Sequence, residues 1–242
     1  MCCGWCTPNR ARDNVCAVAE PDPKDLDELF NRVLRTEDDA LKAARESAAA
    51  AGMPAIEVSA QHGKLLLVLA TTMRATRALE IGTLAGYSTI QLARGVGLGG
   101  RVVTLEYEPR HAEVAVQNLT RAGVDDRVEV IVGAALDTLP QLVERNETFD
   151  LIFIDADKEN NVAYVEWAIK LAAPGAIIVV DNIARFGRVL EPAPDDHQAL
   201  AVRDMLQMMG DDPRLDAAAI QTVGTKGWDG FAVAIVKPAE LS

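Results

Sequence analysis

Cysteine is missing from almost all of this 242-residue sequence, because its four cysteines lie within the first sixteen residues. That absence excludes a disulfide framework and a cysteine nucleophile from the folded core. Cys3 and Cys6 have the spacing of a metal-ligand pair, but Cys2 and Cys16 complete neither a second such pair nor a histidine pair. We therefore expect residues 1–22 to form a disordered N-terminal extension, with a zinc site as the alternative.

Basic side chains are also in deficit. The sequence has 24 Lys and Arg against 36 Asp and Glu, a formal net charge of −12 that repels phosphate backbones. No apolar run approaches the roughly 20 residues that span a bilayer, and the N-terminus lacks an apolar signal core. We expect a cytoplasmic protein that binds neither nucleic acid nor membrane.

Hydrophobic residues make up 49% of the sequence, enough for a sizeable core, and the length favours one α/β domain over residues 23–242. Apolar periodicity predicts strands and helices that alternate strictly. The predicted strands are 77–81, 101–107, 127–132, 149–154 and 176–180, and the helices between them are 87–94, 109–122, 136–144 and 162–171. Strict alternation implies a doubly wound, mainly parallel sheet covered on both faces.

Both ends of the chain differ from this pattern. Residues 24–51 predict one broken helix or two short helices that precede the sheet, and Ser59 is a candidate N-cap for a third helix over 62–73. His62, within that helix, is interpreted as a surface or packing residue. Near the C-terminus a helix over 198–209 precedes strands at 217–223 and 231–236, whose connection at 224–230 is too short for a crossover helix. A hairpin with one antiparallel strand is therefore expected.

A glycine turn follows the first predicted strand, where Gly82 and Gly86 precede a helix. Glycines let the backbone approach a ligand closely, and the helix N-terminus offers free N–H groups. Glu106 ends the second strand, where doubly wound domains place an acid on ribose hydroxyls. The glycine spacing departs from the dinucleotide fingerprint, so the pattern favours a nucleoside cofactor without a pyrophosphate.

Oxygen-bearing side chains end the fourth and fifth strands. Asp155, Asp181 and Asn182 suit a hard cation, Mg²⁺ foremost with Ca²⁺ or Mn²⁺ as alternatives, unless the two carboxylates merely cap the following helices. Lys158 lies within reach of the same edge and is a candidate general base. Asp157 is interpreted as a neighbour of the site and not as a ligand.

These motifs as a set resemble the cation-dependent, S-adenosylmethionine-dependent O-methyltransferases of the catechol and caffeoyl-CoA type. The similarity runs from about Gly52 to Pro238 and implies a Rossmann-like methyltransferase sheet. It implies a methyl transfer to a hydroxyl of a small ortho-dihydroxy aromatic acceptor (catechol, caffeoyl or flavonoid type). It also implies a homodimer in which the N-terminal helices take part.

The resemblance assigns roles to individual residues. Lys158 and Asp155 would be catalytic, and Asp155, Asp181 and Asn182 would hold the cation. The cofactor contacts it implies are Val58, Glu80, Gly82, Thr83, Ser88, Glu106, Ala135 and Asp155. The acceptor contacts stay open, with Arg185, Phe186 and Trp228 as candidates. A metal-independent methyltransferase, a nicotinamide-dependent oxidoreductase on the same fold and a non-catalytic scaffold are the alternatives.

Overall fold

The structure is a computed structural model that describes residues 22–238. The expected disorder of the N-terminal extension and the alternative Cys3–Cys6 zinc site concern residues outside this range. Asp22 is an exception, because it does not belong to the extension: its side chain accepts a hydrogen bond from the Lys24 N–H and caps the first helix. No helix in this range is long and apolar enough to cross a membrane.

Eight α-helices and seven strands make up the described chain. The helices are α1 (Pro23–Leu34), α2 (Asp39–Ala50), α3 (Ala60–Thr72), α4 (Tyr87–Val96), α5 (Pro109–Ala122), α6 (Ala135–Glu144), α7 (Asn161–Leu171) and α8 (His197–Asp211). The strands are β1 (Arg77–Ile81), β2 (Arg101–Glu106), β3 (Val128–Val132), β4 (Phe149–Ile154), β5 (Ala172–Asp181), β6 (Leu215–Gly224) and β7 (Gly227–Val236). The N-terminal segment forms two helices, and Ser59 caps α3 as predicted by accepting from the His62 N–H at 3.1 Å.

The strands form one sheet in the order β3-β2-β1-β4-β5-β7-β6. Strands β1 to β5 are parallel, and β7 runs antiparallel to both β5 and β6. The predicted doubly wound α/β sheet and its antiparallel hairpin strand are therefore confirmed. The order of connection reverses between β1 and β4, and a crevice for ligands forms at such a point beyond the carboxyl ends of the strands.

Both faces of the sheet are buried because successive strand residues contribute to opposite cores. In β4, Ile152 and Ile154 pack with α6, α7 and α8, whereas Leu151 and Phe153 pack with α2 to α5. Each of these four side chains is fully buried. A continuous apolar strand covered on both faces is what the sequence run predicts.

Two boundaries differ from the predictions because glycine and proline lie inside strands. The expected connection at 224–230 shrinks to the two residues Thr225 and Lys226, and Gly230 lies within β7. A Cβ on Gly230 would lie 2.4 Å from the Ile220 carbonyl oxygen, so glycine here permits close strand contact. Strand β5 begins at Ala172, before Pro174, and its pairing with β4 shifts register there.

Candidate active site

A cavity of about 810 Å³ opens at the carboxyl ends of the parallel strands. It is lined by nine of the eleven residues that the sequence predicted for the site, namely Val58, Gly82, Thr83, Ser88, Glu106, Ala135, Asp155, Lys158 and Asn182. The other two, Glu80 and Asp181, are buried beside it. The fold thus gathers residues from six separate segments of the chain around one space.

The glycine turn after β1 brings two strand ends into direct contact. Gly82 adopts φ +100°, and a Cβ at this position would lie only 2.1 Å from the backbone oxygen of Asp155. Its N–H donates to the Leu105 carbonyl at 3.0 Å. Any side chain at this position would therefore displace the end of β4.

Glu106 fixes the shape of that turn. Its Oε2 accepts from the N–H groups of Thr83 (3.2 Å) and Leu84 (2.7 Å), and its Oε1 accepts from the Glu108 N–H at 2.9 Å. His111 lies on the other side, with Nδ1 3.5 Å from Oε1. The carboxylate therefore organises the backbone N–H groups of the turn while its remaining acceptor capacity lies at the cavity.

Glu80 has no exposed surface and lies behind the cavity lining. Its Oε2 accepts from Thr104 Oγ1 at 2.6 Å and from Thr89 Oγ1. Burial raises the pKa of Glu80 to about 7, against the lowering effect of neighbouring hydroxyl donors. The structure therefore places this residue as a support of the turn, and its direct contact with a cofactor stays a prediction.

Of the predicted cation ligands, Asp181 is buried, whereas Asp155 and Asn182 are partly exposed in the cavity lining. Lys158 is only 6% exposed, and its Nζ lies 3.0 Å from Asp155 Oδ1. Burial raises the pKa of Asp155, against the charge of Lys158, and the Asp181 carboxylate raises it further. Asn182 adopts φ +61°, a costly conformation for a non-glycine residue, and lines the cavity.

Asp157 lies next to this group but is engaged by other side chains. Its Oδ1 accepts from the Tyr164 hydroxyl and its Oδ2 from the Asn160 amide, both at 2.5 Å. These contacts agree with its interpretation as a neighbour of the site.

Of the three candidate acceptor contacts, only Arg185, in the loop after β5, lines the cavity. Arg185 and Gln198 line the cavity, whereas Phe186 and Trp228 do not and are 63% and 39% exposed. Asp229 Oδ1 accepts from the backbone N–H groups of Ala184 at 3.0 Å and Arg185 at 3.1 Å. The β6–β7 hairpin therefore positions this loop.

A family model described as O-methyltransferase matches residues 32–231. The chain belongs to the O-methyltransferase family. It is 61% identical over 218 residues to a catechol O-methyltransferase of Mycobacterium tuberculosis, covering 90% of this chain and 98% of that protein. It is 48% identical over 213 residues to a catechol O-methyltransferase of Niastella koreensis, covering 88% and 96%.

The solved structure of the O-methyltransferase from Bacillus cereus in complex with SAH (S-adenosylhomocysteine) has the same fold. It superposes with a TM-score of 0.87 at 47% identity, covering 89% of this chain and 98% of that one. These comparisons confirm the family resemblance, the fold class and the enzyme class: this chain is an S-adenosylmethionine-dependent O-methyltransferase. The alternative of a non-catalytic scaffold is not supported.

In this O-methyltransferase, sequence reasoning missed the part played by His62. The side chain is one-tenth exposed, its Nδ1 lies 3.3 Å from Asp181 Oδ2, and its ring stacks on Phe231 with centroids 4.7 Å apart. Although burial favours the neutral acid, His62 holds the pKa of Asp181 below its usual value. The interpretation of His62 as a packing residue is therefore incomplete, since it also contacts a predicted ligand.

Proposed function

We propose that this O-methyltransferase methylates one hydroxyl of a small ortho-dihydroxy aromatic acceptor with the help of a divalent cation. The observation that carries the proposal is the group of oxygen-bearing side chains of Asp155, Asp181 and Asn182, which the fold gathers with Lys158 at the cavity that also contains the Glu106 turn. The names of the two catechol O-methyltransferases that this chain resembles support the same acceptor class.

The residues present fit a hard cation. Two carboxylates that raise each other's energy gain from a positive charge between them, and carboxylate and amide oxygens are the ligands that Mg²⁺, Mn²⁺ and Ca²⁺ prefer. Within residues 22–238 no group of three His, Cys, Asp or Glu side chains forms a metal site. The proposed set therefore includes the amide oxygen of Asn182, with acceptor and water oxygens as further ligands. When bound, the cation would act as a Lewis acid on the acceptor hydroxyl.

The cofactor end uses the turn and the strand ends around it. We assign the ribose hydroxyls to Glu106, because acceptor capacity remains on its carboxylate at the cavity. We assign the methionine end to Gly82, Thr83 and Ser88, which line the cavity along the turn after β1 and the first turn of α4. Ala135, at the first turn of α6, would contact the adenine, and Val58 would close over the cofactor.

The reaction requires that the acceptor is placed against the methyl donor and that one proton is removed from its hydroxyl. The acceptor oxygen forms a bond to the methyl carbon while the sulfonium S–C bond breaks, so S-adenosylhomocysteine leaves with the electron pair. Lys158 is the group we assign to the hydroxyl proton, because its Nζ is buried at the cavity, where a cation bound by Asp155 would favour the neutral amine that can accept a proton. Holding both reactants in one cavity supplies much of the rate acceleration.

Chelation tests the cation assignment. We expect EDTA to abolish methylation of catechol and added Mg²⁺ to restore it, and we expect Asp181→Ala to weaken Mn²⁺ binding measured by electron paramagnetic resonance. Asp126→Asn, at an exposed carboxylate outside the cavity, is the control. Full activity of Asp181→Ala in EDTA would instead establish metal-independent methylation.

A second copy of the chain is the partner we propose for the uncovered apolar side of α1. This helix buries none of its residues, although five large apolar side chains lie along it: Leu26, Leu29, Phe30, Val33 and Leu34. Strand β6 beside it is an exposed edge strand. Light scattering should give the mass of a dimer for the wild type and of a monomer for Val33→Glu. Val143→Glu, a comparably exposed apolar position on α6, should remain dimeric; a monomeric wild type would refute the assignment.

A further inference from the structure

Arg185 is a cation in the cavity lining whose charge no carboxylate within residues 22–238 compensates. Lys158, in the same lining, pairs with Asp155, and His111 lies beside Glu106. Arg185 forms no ion pair with any of residues 22–238, and its only side-chain hydrogen bond in that range is from Nη2 to the neutral Oε1 of Gln198. A partly buried guanidinium without a counter-ion is costly unless a ligand supplies the charge.

The donors around this guanidinium suit a planar anion. Nε is buried and has no hydrogen-bond partner in the part of the chain that the structure describes, so those residues leave the guanidinium incompletely satisfied. Nη1 makes no hydrogen bond to the described residues, and the amide NH₂ of Gln198 is a second donor in the lining because its Oε1 already accepts from Arg185. Two adjacent N–H donors, one of them charged, match the two oxygens of a carboxylate.

The backbone at Arg185 adopts a strained conformation that neighbouring residues hold in place. Arg185 and Phe186 both adopt left-handed φ values, +49° and +57°, which non-glycine residues rarely do. Asp229 accepts hydrogen bonds from two N–H groups of this segment, and Gly187 packs against the Trp228 ring. Backbone strain that several contacts maintain is typical of a residue whose side-chain direction is important for function.

We propose that Arg185, with Gln198, selects acceptors whose aromatic ring carries a carboxylate in addition to the two vicinal hydroxyls. This inference rests on the proposed methylation of ortho-dihydroxy aromatics and names the acceptor class more narrowly. Asn182 is three residues before Arg185 in the same loop, so the diol and the carboxylate would be recognised by two parts of one segment. Arg185 is thus a specificity residue that does not touch the reacting atoms.

The test compares kcat/KM for three ortho-dihydroxy aromatic acids with kcat/KM for their neutral primary amides. Protocatechuate, homoprotocatechuate and caffeate place the carboxylate at three distances from the diol, and unsubstituted catechol reports the basic reaction. For at least one acid we expect kcat/KM to exceed that of its amide by about 10-fold or more, chiefly through KM, because a hydrogen bond between two charged groups is stronger than one to a neutral amide. Arg185→Gln should bring this ratio close to one, and it should lower kcat/KM much more for the acids than for their amides.

Two further variants separate charge from structure. Arg185→Lys keeps the charge and should keep part of the acid preference. Arg214→Gln removes an exposed arginine that pairs with Asp212 outside the cavity and should keep all of it. Unchanged S-adenosylmethionine affinity would show that Arg185→Gln is folded.

The inference would be overturned if the wild type methylates catechol but has nearly the same kcat/KM for each of the three acids as for its amide. It would also be overturned if this ratio of kcat/KM values is the same in the wild type and in Arg185→Gln. Absence of turnover with catechol and every acid and amide would overturn the proposed function itself.

Discussion

At the scale of single residues, Glu80 links the stability of the protein to pH. Its pKa is about 7 in the folded chain, against an ordinary value of 4.5, because burial penalises the charged form. The stabilisation that the neutral carboxyl contributes is fully present below about pH 4.5 and is lost as pH rises through about 7. The folded state must then hold an ionised carboxylate away from water.

We therefore expect Glu80→Gln to lose less stability than the wild type as pH rises. Between about pH 5 and about pH 8.5 the difference should be on the order of 3 kcal/mol in the free energy of unfolding, measured by urea denaturation of the cofactor-free protein. Glu113→Gln, at an exposed position of α5, should follow the wild type. If the free energy of unfolding changes with pH in the same way for the wild type and Glu80→Gln, Glu80 is ionised in the folded protein throughout this pH range.

Which site residues could be predicted depends on whether their contacts are local in sequence. Lys158 follows Asp155 by three positions at a strand end, so their pairing could be expected before the structure was known. His62 belongs to α3 and meets Asp181 only because the fold brings that helix to the end of β5. Nothing near His62 in the chain signals that contact, and the burial of Glu80 behind the turn is equally a property of the tertiary packing.

At the scale of elements, the β6–β7 hairpin acts on the site through Asp229. This side chain accepts from two backbone N–H groups of the loop that carries Arg185. We expect Asp229→Ala to raise the KM for the acceptor about 10-fold, since two hydrogen bonds that hold a strained loop are lost. The dissociation constant of S-adenosylmethionine, measured by calorimetry, should stay unchanged.

Asp216→Ala, on the same hairpin but paired with Lys237 at the surface, provides the matched control and should leave both constants unchanged. Equal weakening of cofactor and acceptor binding in Asp229→Ala would mean that the hairpin supports the whole domain and not this loop.

The bounds of a helix or strand could be predicted where the hydrophobic periodicity of the sequence alone determines them. The central strands β1 and β4 and the helix α5 have the predicted boundaries, because apolar runs and capping residues define them locally. The length of the hairpin connection and the start of β5 were not predicted correctly, since Gly230 and Pro174 usually indicate loops. In the fold, Gly230 permits close contact between β6 and β7, and Pro174 lies where the pairing of β4 and β5 shifts register.

At the scale of the whole molecule, cofactor binding should stabilise the fold. A ligand at about 100 times its dissociation constant adds about 2.7 kcal/mol to the stability, which raises Tm by roughly 5 to 11 °C for a domain of this size. We expect this shift with S-adenosylmethionine and none with NAD, measured by differential scanning fluorimetry. A shift with NAD alone would favour the nicotinamide-dependent oxidoreductase.

The contact between Gly82 and the Asp155 backbone has a consequence for redesign. The segment that would hold the methyl donor and the segment that would hold the cation touch at a place where one extra methyl group does not fit. A library that varies the β1 turn would therefore also disturb acceptor chemistry, whereas the loop after β5 and the hairpin behind it can be varied with the donor site intact. New acceptor ranges are best sought by exchanging residues 183–190 together with 225–230 as one module.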